Sequence, residues 1–189
     1  LGDVYKRQIV YLDEVYFRKY ATKTRILDNE IKVLSPEADL VAIIVHSIIT
    51  EQLLTLFSYY ATLYHLKNNI SVDDFISIAR ENNVTFPVKT HFSLIAELHQ
   101  AAHGFVPGKV EELLAELGSE RYESENLLKN NFKTPHRYSL LTIAKTFFEK
   151  LKEAKFRGSV AKQMVYMLTP RLAEWTIRNI ILRRRRETY

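Results

Sequence analysis

The side chain best placed for chemistry is His46, at the end of the run L-S-P-E-A-D-L-V-A-I-I-V-H from Leu34 to His46. An imidazole exchanges a proton near neutral pH, so one reading is a general base. Its neighbours are apolar and nothing adjacent is a clear nucleophile. The other reading is a core histidine with one satisfied hydrogen bond. His99 and His103 stand four apart on one helix face, a spacing at which two imidazoles can share a metal. A zinc-protease helix would need Glu after the first of them, and Gln100 stands there. Two ligands with no identified third make a weak site, so no metal is expected. Gly118-Ser119 with Glu123 and Glu125 imitates a G-S motif followed by paired acids. Such acids need a buried strand with apolar flanks, and residues 122–126 are polar.

Two further groups suit binding rather than catalysis. Arg183, Arg184, Arg185 and Arg186 follow an apolar stretch containing Trp175, Ile180 and Leu182. They are phosphate-binding candidates for nucleic acid or an anionic surface; the plainer reading is a solvated tail that complements its own helix dipole. Phe57, Tyr59, Tyr60 and Tyr64 recur at helical spacing. Stacking platforms alternate with Lys or Arg, and neither occurs between Thr50 and Leu66, so these aromatics read as core.

The elements that must position these groups are mostly helical. Ser35 can cap a helix whose first residue is Pro36, with Glu37 and Asp39 at the positive end of its dipole. Leu40, Val41, Ile43, Ile44, Val45, Ile48 and Ile49 are apolar on more than one face, so the helix should be largely enclosed and run to about Thr50. A second helix is expected from about Leu53 to Lys67, with Leu56, Tyr60, Leu63, Tyr64 and Leu66 on its apolar side. A third follows over Val72 to Asn82 from the Ser71/Asp74 box. The fourth opens at Pro87 and stops at Gly104, and the fifth runs from Pro107 to Gly118. The sixth starts after Thr134-Pro135, running from Tyr138 to about Phe156 and ending near Gly158. The seventh covers Val160 to Leu168, and the last Arg171 to about Arg186. Before them, Ile9 to Leu12 reads as a strand, Asp13 to Tyr20 as ambiguous, and Thr24–Leu27 with Ile31–Leu34 as a hairpin around Asp28-Asn29-Glu30. The expected class is mainly α: about eight helices with a small N-terminal β-hairpin or sheet edge.

The order strand, Tyr11-Leu12-Asp13, hairpin, Ser35-Pro36-Glu37, His46, then Leu54-Thr55-Leu56 resembles the C-terminal half of an uncharacterised prokaryotic nucleotidyltransferase family. The resemblance covers Val10 to about Gly104. It implies a nucleotidyltransferase-fold domain followed by a helical domain. Glu37 and His46 become substrate-facing candidates. It also implies Mg²⁺ and an NTP, held by acidic residues after a G-S motif upstream of this stretch. No glycine lies between Gly2 and Gly104, so no phosphate-cradling loop fits there. The chain by itself is expected to be inactive, its catalytic domain supplied in cis from upstream.

Composition fits that reading. Hydrophobic residues make up 47%, enough for a core, and cysteine is absent, which excludes disulfides and thiolate sites. No signal-peptide pattern and no apolar run of transmembrane length is present, so the expected location is cytoplasmic. Net charge is +5, yet residues 151–189 carry ten Lys and Arg against three acids, +7, leaving −2 elsewhere. The expected organisation is a non-native prefix over 1–8, resembling an adapter-derived sequence, and a residual sheet edge over 9–34. A helical domain over 35–118, a linker over 119–133 and basic helices over 134–189 follow.

Overall fold

The computed structural model describes residues 11–68 and 70–167. Residues 11–150 form one compact unit, and 151–167 belong to a second. The protein is mainly α-helical with a two-stranded antiparallel hairpin near its N-terminus, the class the sequence implies.

A short helix α1 (Glu14–Lys19) opens the first unit, capped by Asp13, which accepts from Tyr16 N–H. Strands β1 (Ala21–Ile26) and β2 (Asn29–Leu34) follow, paired from Ala21↔Leu34 to Ile26↔Asn29. The turn is therefore Leu27–Asp28, with Leu27 at φ 53°. The left-handed position falls on a leucine and not on Asn29, which is drawn into the ladder. The side chains of β2 from Asn29 to Val33 are exposed.

Ser35 then starts α2 (Pro36–His46) as its side chain accepts from Ala38 N–H at 3.3 Å. Leu40, Val41, Ile44 and Val45 are fully buried, as the apolar pattern requires. The helix does not reach Thr50 in α geometry. It widens into a π-helical turn, Ser47–Glu51, and ends on Gln52 in the left-handed region. Leu53–Leu54 form β3 in place of the expected first helical turn, pairing with β4 (His136–Arg137).

Helix α3 (Leu56–Lys67) starts from a Thr55/Ser58 capping box. Its buried line is Ser58, Tyr59, Thr62 and Leu66, while Leu56, Phe57, Tyr60 and Tyr64 face solvent. The expected packing of Phe57, Tyr60 and Tyr64 in the core is thus corrected. The two small polar residues can point inward because each is satisfied there. Ser58 closes the capping box, and Thr62 Oγ1 bonds Ser58 O and His91 Nε2, both at 2.8 Å.

Next come α4 (Val72–Glu81), α5 (Thr85–His103), α6 (Gly108–Leu117), α7 (Arg121–Lys129), α8 (Leu140–Lys150) and, in the second unit, α9 (Ala154–Met167). The long α5 packs on α2, α4, α6, α7 and α8, so it is the axis of the first unit. It ends where the sequence places a stop: Gly104 has φ 80°, a left-handed cap that glycine adopts without strain. Residues 119–133, read as a linker, hold α7, whose Glu123, Ser124 and Leu127 are buried. Thr134-Pro135 opens no helix; it is a cis peptide leading into β4. The long sixth helix is two: α8 ends at Lys150, and α9 runs through Gly158 instead of starting after it. The last expected helix, from Arg171, lies outside the described residues.

The start of α5 lacks a side-chain cap of its own, because Val84 occupies the N-cap position. Glu149 of α8 supplies one: its carboxylate accepts from Thr85 N–H at 3.1 Å and Phe86 N–H at 2.8 Å. Glu149→Ala should destabilise the protein by about 1–2 kcal/mol, through lost capping and lost dipole charge. A urea titration checks this, as a lower midpoint at unchanged slope.

Candidate functional site

Where α2 becomes the π turn, the chain makes an arrangement that helical spacing alone does not offer. In a continuous α-helix, residues five apart lie roughly 140° apart around the axis. The wider turn bonds Gln52 N–H to Ser47 O and brings residues 46 and 51 toward one face. Glu51 Oε1 stands 3.4 Å from His46 Nε2. On the opposite side of the ring, Tyr11 Oη lies 2.6 Å from His46 Nδ1. Single π turns inside helices occur frequently at functional sites.

These three side chains meet in a cleft of about 400 Å³. Its walls are largely apolar: Leu12, Phe17, Ala42, Ile43, Leu53 and Phe57. Ser47, Thr55 and Ser58 add hydroxyls, of which Ser47 Oγ donates to Ile44 O at 2.9 Å. An apolar cleft with a few convergent polar groups is the usual form of a small-ligand site. His46 is about half exposed on it, at 49%. It is therefore not the enclosed core histidine that its neighbours in sequence suggest. Its apolar neighbours are buried on the other faces of α2.

Electrostatics places the imidazole hydrogen. With the hydrogen on Nε2, the ring presents N–H to the Glu51 carboxylate and leaves the Nδ1 lone pair for the phenol hydrogen. The reverse tautomer would turn a lone pair toward the carboxylate. The first form is favoured, and in it His46 is set to receive a proton at Nδ1.

Glu37, the other substrate-facing candidate, does not line this cleft. Its Oε1 accepts from Ser71 N–H at 3.1 Å, tying the first turn of α2 to the start of α4. Arg183, Arg184, Arg185 and Arg186 lie outside the described residues. A larger cavity of about 700 Å³ sits between α1 and the hairpin, but its Glu14 and Arg18 engage each other at 2.5 Å.

The remaining histidines of the unit have partners. His91 is wholly buried between Thr62 Oγ1 and Tyr138 Oη, the latter 3.2 Å from Nδ1; burial lowers its pKa to about 3. His99 is buried with Nδ1 2.6 Å from Tyr59 Oη, and its ring centroid is 4.5 Å from that of His103. Burial first, then the His103 charge, lowers the His99 pKa. Among the described residues no group of three or more His, Asp or Glu converges as a metal site.

Behind the π turn lies a buried brace. Tyr138 N–H donates to Gln52 O at 3.1 Å, and the Tyr138 hydroxyl also bonds Ser47. Next to it, Glu123 is fully buried and accepts from His136 Nε2 at 3.0 Å, Ser139 N–H at 3.0 Å, Ser139 Oγ at 2.8 Å and Thr142 Oγ1. The superficial G-S…E-x-E is thus a structural buttress on a helix, with Glu125 exposed beside it.

Sequence reasoning singled out His46 but missed Tyr11 and Glu51 as its partners. Glu51 is one charge at the end of an apolar run, and Tyr11 lies 35 residues from His46. Neither has a spacing signal. Protein-family models, curated proteins and solved structures were all compared with this chain, and none matches it.

Proposed function

We propose that this chain is the helical part of a nucleotidyltransferase-like protein, and that the His46 cleft forms the acceptor side of its transfer site. The observation that carries this reading is a half-exposed imidazole held between a phenol and a carboxylate in a concave, apolar-walled cleft. Its lone pair at Nδ1 suits deprotonation of an acceptor hydroxyl as that oxygen attacks the α-phosphorus of an NTP. Mg²⁺, when bound, would neutralise charge on the nucleotide phosphates. The described residues do not fit that ion, since no set of three carboxylates or imidazoles converges among them. The ion would have to be held elsewhere, by the upstream acidic pair that the resemblance implies.

The test uses two proteins, this chain and a protein in which residues 9–189 follow an upstream nucleotidyltransferase-fold domain, each supplied with Mg²⁺ and labelled NTPs. The chain alone should transfer nothing. The extended protein should transfer label, and His46→Gln should lower the rate by about 10²–10⁴, the range for a lost general base. Transfer by the chain alone, no transfer by the extended protein, or full activity of His46→Gln would each reject the reading.

A further inference from the structure

Among the described residues two tyrosines place their hydroxyl 2.6 Å from a histidine Nδ1, Tyr11 on His46 and Tyr59 on His99. The pairs differ in what lies beyond the ring. His99 is buried and faces another imidazole, His103. A positive charge on His99 is disfavoured there, so it is a poor proton acceptor for Tyr59. His46 is half exposed and faces the carboxylate of Glu51. A proton that passes from Tyr11 Oη to His46 Nδ1 would create an imidazolium between a phenolate and a carboxylate, an arrangement that stabilises it. Nucleophile, base and orienting carboxylate in sequence are the general form of an activated hydroxyl.

Tyr11 also differs from the buried tyrosines in its access. Tyr16 is buried and donates to Ala38 O at 2.6 Å; Tyr138 is buried against His91. Tyr11 lines the cleft with His46 and Glu51. An electrophile seated on Leu12, Ile43 and Phe57 would meet its oxygen.

We propose that Tyr11 is a nucleophile and a site of covalent modification, with His46 as its base and Glu51 as a positioning residue. The substrate class is an electrophile with a good leaving group. With an NTP, the phenol oxygen forms a bond to the α-phosphorus, the bond from that phosphorus to the bridging oxygen breaks, pyrophosphate leaves, and the phenol proton passes to His46 Nδ1. Only the identity of this electrophile rests on the proposed function; it makes the acceptor hydroxyl the protein's own.

The first arm of the test needs no upstream domain. This chain is treated with an aryl sulfonyl fluoride, which forms an oxygen–sulfur bond at a reactive phenol and releases fluoride, and each tyrosine is quantified by peptide mapping. Tyr11 should label at least about tenfold faster than the exposed Tyr60 and Tyr64, which serve as ordinary phenols, while Tyr59 stays unlabelled. His46→Gln should reduce Tyr11 labelling to the rate of Tyr60. In His46→Gly, added imidazole should restore it, which a merely structural role would not allow. Glu51→Gln should slow Tyr11 labelling severalfold, and Glu51→Asp should recover part of it, since a carboxylate then faces the ring again. Equal rates at Tyr11 and Tyr60, or a His46→Gln rate that matches the parent, would overturn the proposal. In the second arm, the upstream-extended protein is mapped after reaction with an NTP. An adduct on Tyr11 supports the inference; transfer elsewhere with none on Tyr11 refutes NTP as its electrophile and leaves the proposed function standing. No transfer at all rejects the proposed function, and the labelling arm then decides the nucleophile by itself.

Discussion

Lowering the pH from neutral to about 4 should remove about 3 kcal/mol of folding free energy through His91 alone. His91 is wholly buried and bonded on both ring nitrogens, to Thr62 and Tyr138. Burial drives its pKa from 6.5 down to about 3. The folded value is the depressed one, so between pH 6.5 and 3 the unfolded chain binds a proton that the folded protein refuses. Stability from this group is therefore complete above about pH 6.5 and is lost as the pH falls toward 3. Domains are stable by about 5–15 kcal/mol, so a loss of this size moves the melting temperature by many degrees. His99 acts in the same direction, since its pKa is also lowered. The check is thermal melting at a series of pH values for the parent and for His91→Gln, which does not titrate. The variant should start less stable and show a flatter pH dependence between 6.5 and 4. An unchanged slope would mean that His91 is not the group responsible.

His91 also shows why part of this molecule was legible in the sequence and part was not. Helix starts that rest on local chemistry were readable. Ser35-Pro36 and the Ser71/Asp74 pair both begin helices where expected, and Gly104 ends one, because a cap is settled within four residues. The same local rule failed at Thr134-Pro135, where pairing with β3 draws the following residues into a strand. It failed again across Lys150, where no proline or glycine marks the break between α8 and α9. On α3, apolar spacing was right for Leu63 and Leu66 but wrong for Leu56, Tyr60 and Tyr64, which are exposed. Ser58 and Thr62 face inward because a capping box and His91 satisfy them, and those partners lie outside any helical period.

The cleft divides in the same way. His46 stood out as a polar residue at the end of an apolar helix, but its exposure depends on which side α3 to α5 cover. Its pairing with Glu51 depends on a π turn for which periodicity gives no sign. Tyr11 meets it over 35 residues of chain; the resemblance names both residues but says nothing of their contact.

Glu123→Ala should destabilise the fold by about 3–5 kcal/mol, the second large effect expected here. The buried carboxylate receives donors from His136, Ser139 and Thr142, and removing it strands the His136 and Ser139 N–H groups without water. Burial alone would raise its pKa, but the hydrogen bonds from His136, Thr142 and Ser139 outweigh that, and the net shift is downward. Its contribution is therefore present above the ordinary carboxylate value of 4.5 and is lost as the pH falls through the lower folded value. Glu123→Gln keeps the size but turns an amide N–H₂ toward donors, so it should also destabilise strongly. Glu125→Ala, two residues on and exposed, should stay within about 0.5 kcal/mol. Chemical denaturation of the three variants separates these cases. The consequence should reach the cleft as well. His136 pairs with Leu54 in β4–β3, directly after the π turn that sets Glu51 opposite His46. Among variants that remain folded, those at Glu123 should therefore slow Tyr11 labelling, while Glu149→Ala, which acts at the start of α5, should not. Equal effects from both would show that labelling follows global stability instead of the geometry of the π turn.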